Sequence, residues 1–216
     1  MPMHRRGAVV RSLALAAGAT GLPVLGRPVS AQTATPAASE ACDPYARLAP
    51  VPAFTLTSRD VAQGEQLPPP QMSGMFGAGG EDRSPQLAWS DFPKATRSFV
   101  VTMFDPDAPL PSGFWHWAVV DIPASVTELP AGAGAAGGST LPPGSFQLPN
   151  DARLAQFIGA APPPGDPRHR YYIVVTAVDV DSLDLDKEAT PALLYATLSD
   201  HTLARALLVP IAATAG

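Results

Sequence analysis

Proline and glycine occur throughout this chain, and no other feature of the sequence restricts the possible folds as strongly. There are 26 prolines and 18 glycines among 216 residues. Proline breaks helices and glycine weakens them, so this composition excludes a helical bundle and favours short strands joined by many turns. Apolar residues make up 46% of the chain and charged residues only 15%, which allows a sizeable core. We therefore expect one folded domain that consists mainly of strands.

The beginning of the chain has the pattern of an export signal. Arg5 and Arg6 form a basic start, an apolar stretch covers 12–25, and small residues precede a cleavage point after Ala31. Glycines and a proline interrupt the apolar stretch, which is too short for a stable membrane span. We expect residues 1–31 to be removed and the protein to be periplasmic or secreted, without a transmembrane segment. The sequence leaves open whether export uses the Sec or the twin-arginine route.

A second segment precedes the folded part. Residues 32–50 are rich in Ala, Thr, Ser and Pro, which predicts a flexible leader before a domain at 51–216. Cys42 is the single cysteine, so no internal disulfide can form. The full chain has a net charge of −5, and the predicted signal contains arginines but no acidic residue. An acidic domain without a basic surface pattern argues against nucleic acid as a partner.

Hydrophobic patterning places five strands and one helix in the domain. The strands are expected at residues 54–58, 86–89, 98–104, 114–122 and 171–180. Residues 131–145 are rich in Gly and Ala and predict a mobile surface loop. Thr190 and Pro191 form a helix start, and leucines and alanines continue at helical spacing to Leu208. The expected fold is mainly β, an antiparallel β-sandwich with a few short helices, one of them near the C-terminus.

Two dense motifs place ionisable residues at the ends of these strands. The first motif is DPDAPLPSGFWHWAVV from Asp105, and the second is FIGAAPPPGDPRHRYY from Phe157. Because alternate residues of a strand share a face, Asp105 continues the apolar row Phe99, Val101 and Met103. By the same parity His116 shares its face with Ala118, Val120 and Ile122, and His169 and Tyr171 share theirs with Ile173 and Val175. Burying such groups is costly unless they are paired, so we expect them to meet in one cavity.

Two kinds of chemistry fit this cluster. Two imidazoles and a phenol can donate hydrogen bonds to a phosphate or carboxylate, while aspartates orient the imidazoles. Alternatively, Asp105, Asp107, His116 and His169 could hold a divalent metal for hydrolysis. No G-x-S-x-G motif for an activated serine occurs in the sequence. The binding protein is therefore favoured over the enzyme, with no cofactor and no metal expected.

The motifs resemble the signatures of a known family. Asp-Pro-Asp-Ala-Pro followed by Trp-His-Trp resembles the first signature of the phosphatidylethanolamine-binding proteins, which include the Raf kinase inhibitor protein. The proline-rich segment that ends in His169, Arg170 and Tyr171 resembles the second signature. Ser84 to Trp89 and His201 to Ala204, the latter expected in a helix, resemble features of the bacterial Raf kinase inhibitor-like branch. The likeness covers roughly residues 53–209 and implies a sandwich fold of this family.

The resemblance also implies a ligand site and a function. The implied ligand-binding residues are Asp105, Asp107, Pro109, His116, Ala161, Pro162, His169 and Tyr171. The implied ligand is a phosphate-type or carboxylate group, such as a phospholipid head group, and the implied role extends to modulation of a partner kinase or protease. A cis peptide is expected before Pro109. Family members carry glycine where Ala161 stands, so the resemblance leaves the size of the ligand open.

Overall fold

A computed structural model of the chain describes residues 43–214. The predicted signal at 1–31, most of the predicted leader and Cys42 lie outside the described residues. The strands are β1 (Thr55–Thr57), β2 (Leu87–Ser90), β3 (Ser98–Asp105), β4 (Phe114–Pro123), β5 (Glu128–Leu129), β6 (Phe146–Gln147), β7 (His169–Arg170), β8 (Tyr172–Val178), β9 (Thr202–Leu208) and β10 (Ile211–Ala212). One α-helix, α1 (Pro191–His201), and two 3-10 helices, Pro44–Arg47 and Pro69–Gln71, complete the described elements. Within 43–214, no helix has the length and apolar character that crossing a membrane requires.

Antiparallel sheets dominate, which confirms the expected mainly-β class. The largest sheet has five strands in the order β6-β4-β3-β8-β9, and every neighbouring pair is antiparallel. A three-stranded sheet has the order β1-β2-β5, and β7 pairs with β10. Strands β3, β4 and β8 are rich in valine and isoleucine and are buried over most of their length, as their continuous apolar sequences predict.

The two faces of the five-stranded sheet bury different partners. On one face Phe99 packs with Trp89 of β2, at 5.3 Å between ring centroids, so the small sheet covers this side. On the other face Val100 belongs to a cluster with Leu194 and Leu198 of α1. All five side chains are almost fully buried. The expected sandwich is therefore present, and the helix covers its outer face.

The C-terminal helix is shorter than the sequence predicts. The Thr190 side chain caps α1 at its start, as expected, by accepting the Leu193 N–H at 3.2 Å. The helix ends at His201, and residues 202–208, which were predicted to continue it, form β9 beside β8. Leucines and alanines in this stretch fit both periods, and burial of alternate residues shows that strand pairing prevails. The prediction of a helix to Leu208, including the family-like segment from His201 to Ala204, is wrong.

Two β-bulges in β4 change the faces on which its side chains lie. Phe99 pairs with Ile122 but Val101 pairs with Val119, so the register shifts between them. Val120 therefore packs on the α1 side, whereas Ile122 packs on the opposite side with Phe99. The predicted common face from His116 to Ile122 is wrong, because simple alternation does not survive an inserted residue.

The start of the described chain packs against the domain. Tyr45, in the 3-10 helix Pro44–Arg47, is buried and stacks on Tyr172 with 5.5 Å between ring centroids. Its hydroxyl lies 2.8 Å from the hydroxyl of Tyr195 on α1. Residues 43–50 belong to the predicted leader, so the packed part of the described chain begins before residue 51.

The loop at 131–145 is not entirely on the surface as predicted. Ala133 is fully buried, and the Gly134 N–H donates to the Ser84 hydroxyl at 2.8 Å. A side chain at Gly134 would meet Phe157 at 2.6 Å and Trp117 at 3.0 Å. The glycine is therefore needed for close packing, and this part of the loop belongs to the core.

Candidate functional site

Four ionisable side chains from three parts of the fold line one cavity at the end of the large sheet. Asp105 is the last residue of β3, and His116 lies near the start of β4. His169 is in β7, and Tyr171 is the first residue after the end of β7. Each is at most 4% exposed, and the cavity they share has a volume of about 230 Å³. The expected meeting of these groups is observed. A cavity of this size suits a small ligand or the head of a larger one.

Asp105 organises the floor of the cavity. One carboxylate oxygen accepts the N–H groups of Asp107 and Ala108, at 2.8 Å and 3.0 Å, and so shapes the turn after β3. The other oxygen accepts the Nδ1–H of His169 at 2.8 Å. These contacts compensate a carboxylate that is only 3% exposed. Because Nδ1 of His169 is bound to Asp105, the other ring nitrogen, Nε2, is the atom available for further contacts. It lies 3.7 Å from an Asp166 oxygen.

His116 reaches the cavity because it is the inserted residue of a bulge. Met103 pairs with Trp117 and Phe104 pairs with Trp115, so His116 has no partner across the β3–β4 pair. Bulges of this kind redirect side chains near functional sites. Parity alone would have placed its ring on the face toward α1.

The surroundings of His116 determine its protonation. Its Nδ1 lies 2.9 Å from the Ile158 carbonyl oxygen, which can only accept, so Nδ1 carries the proton. Burial lowers the pKa of His116, although the nearby Asp105 carboxylate and the Ile158 carbonyl oppose this. The free ring is therefore neutral near pH 7, and its Nε2 is an acceptor that becomes a donor only when a proton is added.

Tyr171 places a buried hydroxyl at the cavity. Its ring is fully buried and lies edge-on to His116, with 5.3 Å between ring centroids. Burial and the negative charge of Asp105 raise the pKa of Tyr171 far above its ordinary value, so the hydroxyl keeps its proton. Although this hydroxyl lies near the Asp105 carboxylate, it makes no hydrogen bond of normal geometry to any described residue. An unpaired buried hydroxyl is costly, and a ligand would satisfy it.

The structure brings together six of the eight predicted site residues. Those that line the cavity are Asp105, Pro109, His116, Ala161, His169 and Tyr171. Pro162 is buried outside the lining, and Asp107 is turned away from the cavity. The peptide before Pro109 is trans, and the described residues contain no cis peptide bond, which corrects the expectation drawn from the resemblance.

Asp107 is paired with Arg170 and does not line the cavity. Its two oxygens accept from the Nε and one terminal nitrogen of the guanidinium, both at 2.8 Å, and from the Arg170 N–H at 2.9 Å. Partial burial opposes ionisation, but these bonds hold the pKa of Asp107 below its ordinary value. Arg170 and Asp107 therefore form a structural ion pair. Because Asp107 faces this arginine, the metal-binding set of two aspartates and two histidines does not converge.

The described residues offer no other metal centre. Within 43–214, no group of three or more His, Cys, Asp or Glu side chains is placed to hold a metal ion. The metal-dependent hydrolase therefore lacks the donor set on which the sequence argument depended.

Sequence reasoning missed the apolar walls of the cavity. The additional lining residues are Phe76, Ala108, Leu110, Phe114 and Pro163. Phe114 lies two residues before His116, so the motif itself offered a signal for it. Phe76 comes from a turn about 30 residues earlier in the chain, and no sequence pattern connects it to the site.

The fold and the site together define a class of protein. A sandwich with a small cavity of buried Asp, His and Tyr side chains, formed by the two sequence motifs, is the arrangement that the resemblance implies. Residues 57–212 match the family model described as phosphatidylethanolamine-binding protein. The chain belongs to the phosphatidylethanolamine-binding protein family.

Bacterial relatives are similar over most of the domain. The UPF0098 protein YbcL of Escherichia coli strain K12 is 43% identical over 159 residues, which cover 74% of this chain and 87% of YbcL. The UPF0098 protein YbhB of the same organism is 42% identical over 151 residues, covering 70% of this chain and 94% of YbhB. The crystal structure of E. coli YbcL, described as a new member of the mammalian PEBP family, superimposes with a TM-score of 0.72 and covers 74% of this chain and 98% of YbcL.

Proposed function

We propose that this protein binds a small acidic group of the phosphate or carboxylate type in the cavity formed around Asp105, His116, His169 and Tyr171. The observation that carries the proposal is the Tyr171 hydroxyl, which is buried at the cavity near the Asp105 carboxylate and makes no hydrogen bond of normal geometry to a described residue. Leaving such a donor unpaired costs about 1–3 kcal/mol. A ligand oxygen in the cavity would accept this bond and recover that free energy.

The remaining polar groups complete a binding arrangement for an acidic ligand. His169 is held by Asp105, so its ring has a fixed orientation without any contact from a ligand. The Ile158 carbonyl holds His116 in the same way. A protonated acid group would donate to Nε2 of neutral His116, and an ionised one would bind after that nitrogen takes up a proton. Both modes fit a monoanion better than a dianion, because Asp105 places a carboxylate in the floor.

The family description names phosphatidylethanolamine, and we propose a phospholipid head group as one source of the acidic group. The same chemistry is present in free phosphate and in phosphate monoesters. Competition between soluble head-group analogues and inorganic phosphate, measured by calorimetry, distinguishes the sources by their relative affinities.

Isothermal titration of the protein with inorganic phosphate tests the proposal. We expect saturable binding at one site, and we expect His169→Ala to lower the affinity at least tenfold, because one buried charge-assisted contact contributes about 1.5–3 kcal/mol. His201→Ala is the matched control. Nδ1 of His201 lies 2.9 Å from an Asp179 oxygen, and His201 does not line the cavity. Unchanged affinity in His169→Ala would remove this residue from the site, and absence of binding by the intact protein would refute the function.

We also propose that residues 1–31 direct export. The basic start, the apolar stretch and the small residues before the cleavage point support this. Sequencing the N-terminus of protein recovered from the periplasm or the medium tests it, and an intact N-terminus retained in the cytoplasm would contradict it.

A further inference from the structure

The start of the described chain precedes the family match and packs beside the candidate site. The family model matches residues 57–212, whereas the 3-10 helix Pro44–Arg47 comes before them. Residues 43–48 are called the N-terminal segment below. Tyr45 of this segment is buried in a small cluster with Tyr172 and Val174, separate from the two larger cores. The large sheet and α1 thus have cores without Tyr45, so the contribution of this tyrosine depends on its direct contacts.

Tyr172 connects the N-terminal segment to Arg170. The rings of Tyr45 and Tyr172 stack with 5.5 Å between centroids and 27° between planes. The Tyr172 hydroxyl accepts from one terminal nitrogen of Arg170 at 3.1 Å, and the guanidinium carbon lies 5.6 Å from the centre of the same ring. Stacked aromatic rings fix each other's orientation. The Tyr45 ring therefore helps to hold the ring on which the arginine depends.

Asp43 gives the N-terminal segment a second connection to Arg170. Its carboxylate accepts the Tyr45 N–H at 2.9 Å and caps the 3-10 helix. The hydrogen bonds to Asp107 chiefly raise the pKa of Arg170, and the negative charge of Asp43 adds to the rise. The arginine is thus attracted by one carboxylate of the segment and by one of the turn after β3.

Arg170 in turn holds the turn that forms one wall of the cavity. Its Nε and other terminal nitrogen bind the two Asp107 oxygens at 2.8 Å, and such a bidentate pair fixes geometry as well as charge. Ala108 and Leu110 of the same turn line the cavity. Strand β7, which carries Arg170, has only two residues paired with β10. Because this backbone pairing is short, side-chain contacts matter more for the position of the arginine.

The N-terminal segment also borders this turn directly. Pro44 and Arg47 line a groove of about 330 Å³ together with Pro106 and Pro111 of the turn. No described residue lines both this groove and the cavity. One set of residues of the turn therefore faces the cavity, and another set faces the N-terminal segment.

From these contacts we infer that Tyr45 is a positioning residue of the candidate site, whose ring holds Tyr172 and Arg170 and, through Arg170, the turn that forms the cavity wall. The consequence for binding rests on the proposed function, whereas the positioning of the turn does not. A binding arrangement that is populated only part of the time lowers the apparent affinity by that fraction. The unit that forms the site therefore begins ahead of the family match, at Asp43.

Hydrogen exchange of the Asp107 and Ala108 N–H groups, followed by NMR without ligand, tests the positioning. Both groups are bound by Asp105 within the turn. Tyr45→Ala should speed their exchange at least about threefold relative to the N–H groups of β3 and β8, because the turn opens locally more often. Exchange in β3 and β8 reports global unfolding, so this ratio does not change if Tyr45 contributes to overall stability alone.

Tyr195→Phe is the matched control for this measurement. It removes the hydroxyl contact of 2.8 Å between Tyr195 and Tyr45 but leaves the Tyr45 ring stacked on Tyr172. The exchange ratio of the turn should therefore stay at its value in the intact protein. Tyr45→Phe loses the same hydroxyl contact and keeps the stacked ring, so it should restore most of what Tyr45→Ala loses.

Titration of the same variants with inorganic phosphate measures the consequence for the site. Tyr45→Ala should weaken phosphate binding about threefold to tenfold, in line with the reduced population of the ordered turn. Tyr45→Phe should retain most of the affinity, since the ring that contacts Tyr172 is still present.

The outcomes separate this inference from the proposed function. An unchanged exchange ratio in Tyr45→Ala would overturn the positioning role. A Tyr195→Phe effect as large as that of Tyr45→Ala would also overturn it, because α1 and not Tyr172 would then transmit the change. Faster exchange with unchanged phosphate affinity would show that the site does not depend on this segment. Failure of the intact protein to bind phosphate would refute the proposed function and leave the exchange ratio to decide the positioning.

Discussion

Two histidine–aspartate pairs in this protein have almost the same geometry and opposite surroundings. Nδ1 of His169 lies 2.8 Å from Asp105, and Nδ1 of His201 lies 2.9 Å from Asp179. The first pair is buried, with both side chains 4% exposed, whereas the second is 36% and 43% exposed. The two distances alone would suggest equal contributions to stability and binding. The difference in burial decides what each pair contributes.

The difference follows from the cost of removing charge from water. The buried carboxylate of Asp105 needs the two additional N–H donors of Asp107 and Ala108, and its pair lines a cavity that a ligand can enter. The exposed pair lies in solvent at the C-terminal end of α1, where water solvates both side chains. The comparison teaches that a functional pair is recognised by its burial and its other partners.

The largest expected difference between the pairs is in stability. Asp105→Ala should reduce the free energy of unfolding by roughly 3–5 kcal/mol, because it leaves buried donors without an acceptor. Asp179→Ala should cost less than about 1 kcal/mol, as solvent-exposed pairs do. Urea denaturation followed by circular dichroism measures both. Equal losses would show that burial does not distinguish the pairs.

The pH dependence of anion binding sharpens the comparison next. Burial lowers the pKa of His116 in the free protein, and a bound anion favours its protonated form. Affinity should therefore rise as pH falls, by up to about tenfold per unit, and level off below the pKa of the free protein. Titrations with dimethyl phosphate between about pH 5 and 8 measure this, because this diester remains a monoanion throughout that range.

His116→Asn is the control for this pH effect. Asparagine retains an N–H donor for the Ile158 carbonyl but does not titrate, so its affinity should vary less with pH. A pH-independent affinity of the unmodified protein would contradict the role given to His116.

Two tyrosines extend the same contrast to hydroxyl groups. Tyr171→Phe should raise the free energy of unfolding by about 1–3 kcal/mol, because it removes a buried hydroxyl that makes no hydrogen bond of normal geometry to a described residue, and should weaken phosphate binding several-fold. Tyr195→Phe should destabilise the protein by about 1–2 kcal/mol, since that hydroxyl lies 2.8 Å from Tyr45 and 3.0 Å from Thr102, and should leave binding unchanged. A loss of stability in Tyr171→Phe equal to that in Tyr195→Phe would argue for an internal partner.

The smallest expected effect is that of salt. Raising NaCl to about 1 M should reduce the stability difference between the intact protein and Asp179→Ala by a few tenths of a kcal/mol, because exposed charges are screened. The corresponding difference for Asp105→Ala should be insensitive to salt. Repeating the urea denaturation in salt measures both, and a salt-sensitive Asp105 difference would indicate that solvent reaches the cavity floor.

Much of the fold and part of the site could be predicted from local sequence. Strands β3, β4 and β8 agree with the predicted segments to within two residues, because continuous apolar β-branched sequence is a strong signal. Asp105 and Tyr171 lie on the predicted face, because no bulge interrupts their rows before the cavity. The two motifs also identified the family.

The errors have one common cause, which is competition between partners that lie far apart in the sequence. Residues 202–208 have helical spacing but pair with β8, and only the position of β8 makes the strand preferable. Asp107 belongs to the first motif, but its carboxylate is bound by Arg170 of the second motif and does not line the cavity. Phe76 has no local signal at all.

The sequence by itself determined the strand-rich class, the family, and the presence of Asp105, His116, His169 and Tyr171 at strand ends, because these depend on residue type and short periods. Only the tertiary structure decided that a bulge turns His116 into the cavity, that Asp107 is held by Arg170, and that Phe76 and Leu110 contribute to the apolar walls of the cavity. These depend on register and on contacts between distant segments, which no local pattern encodes.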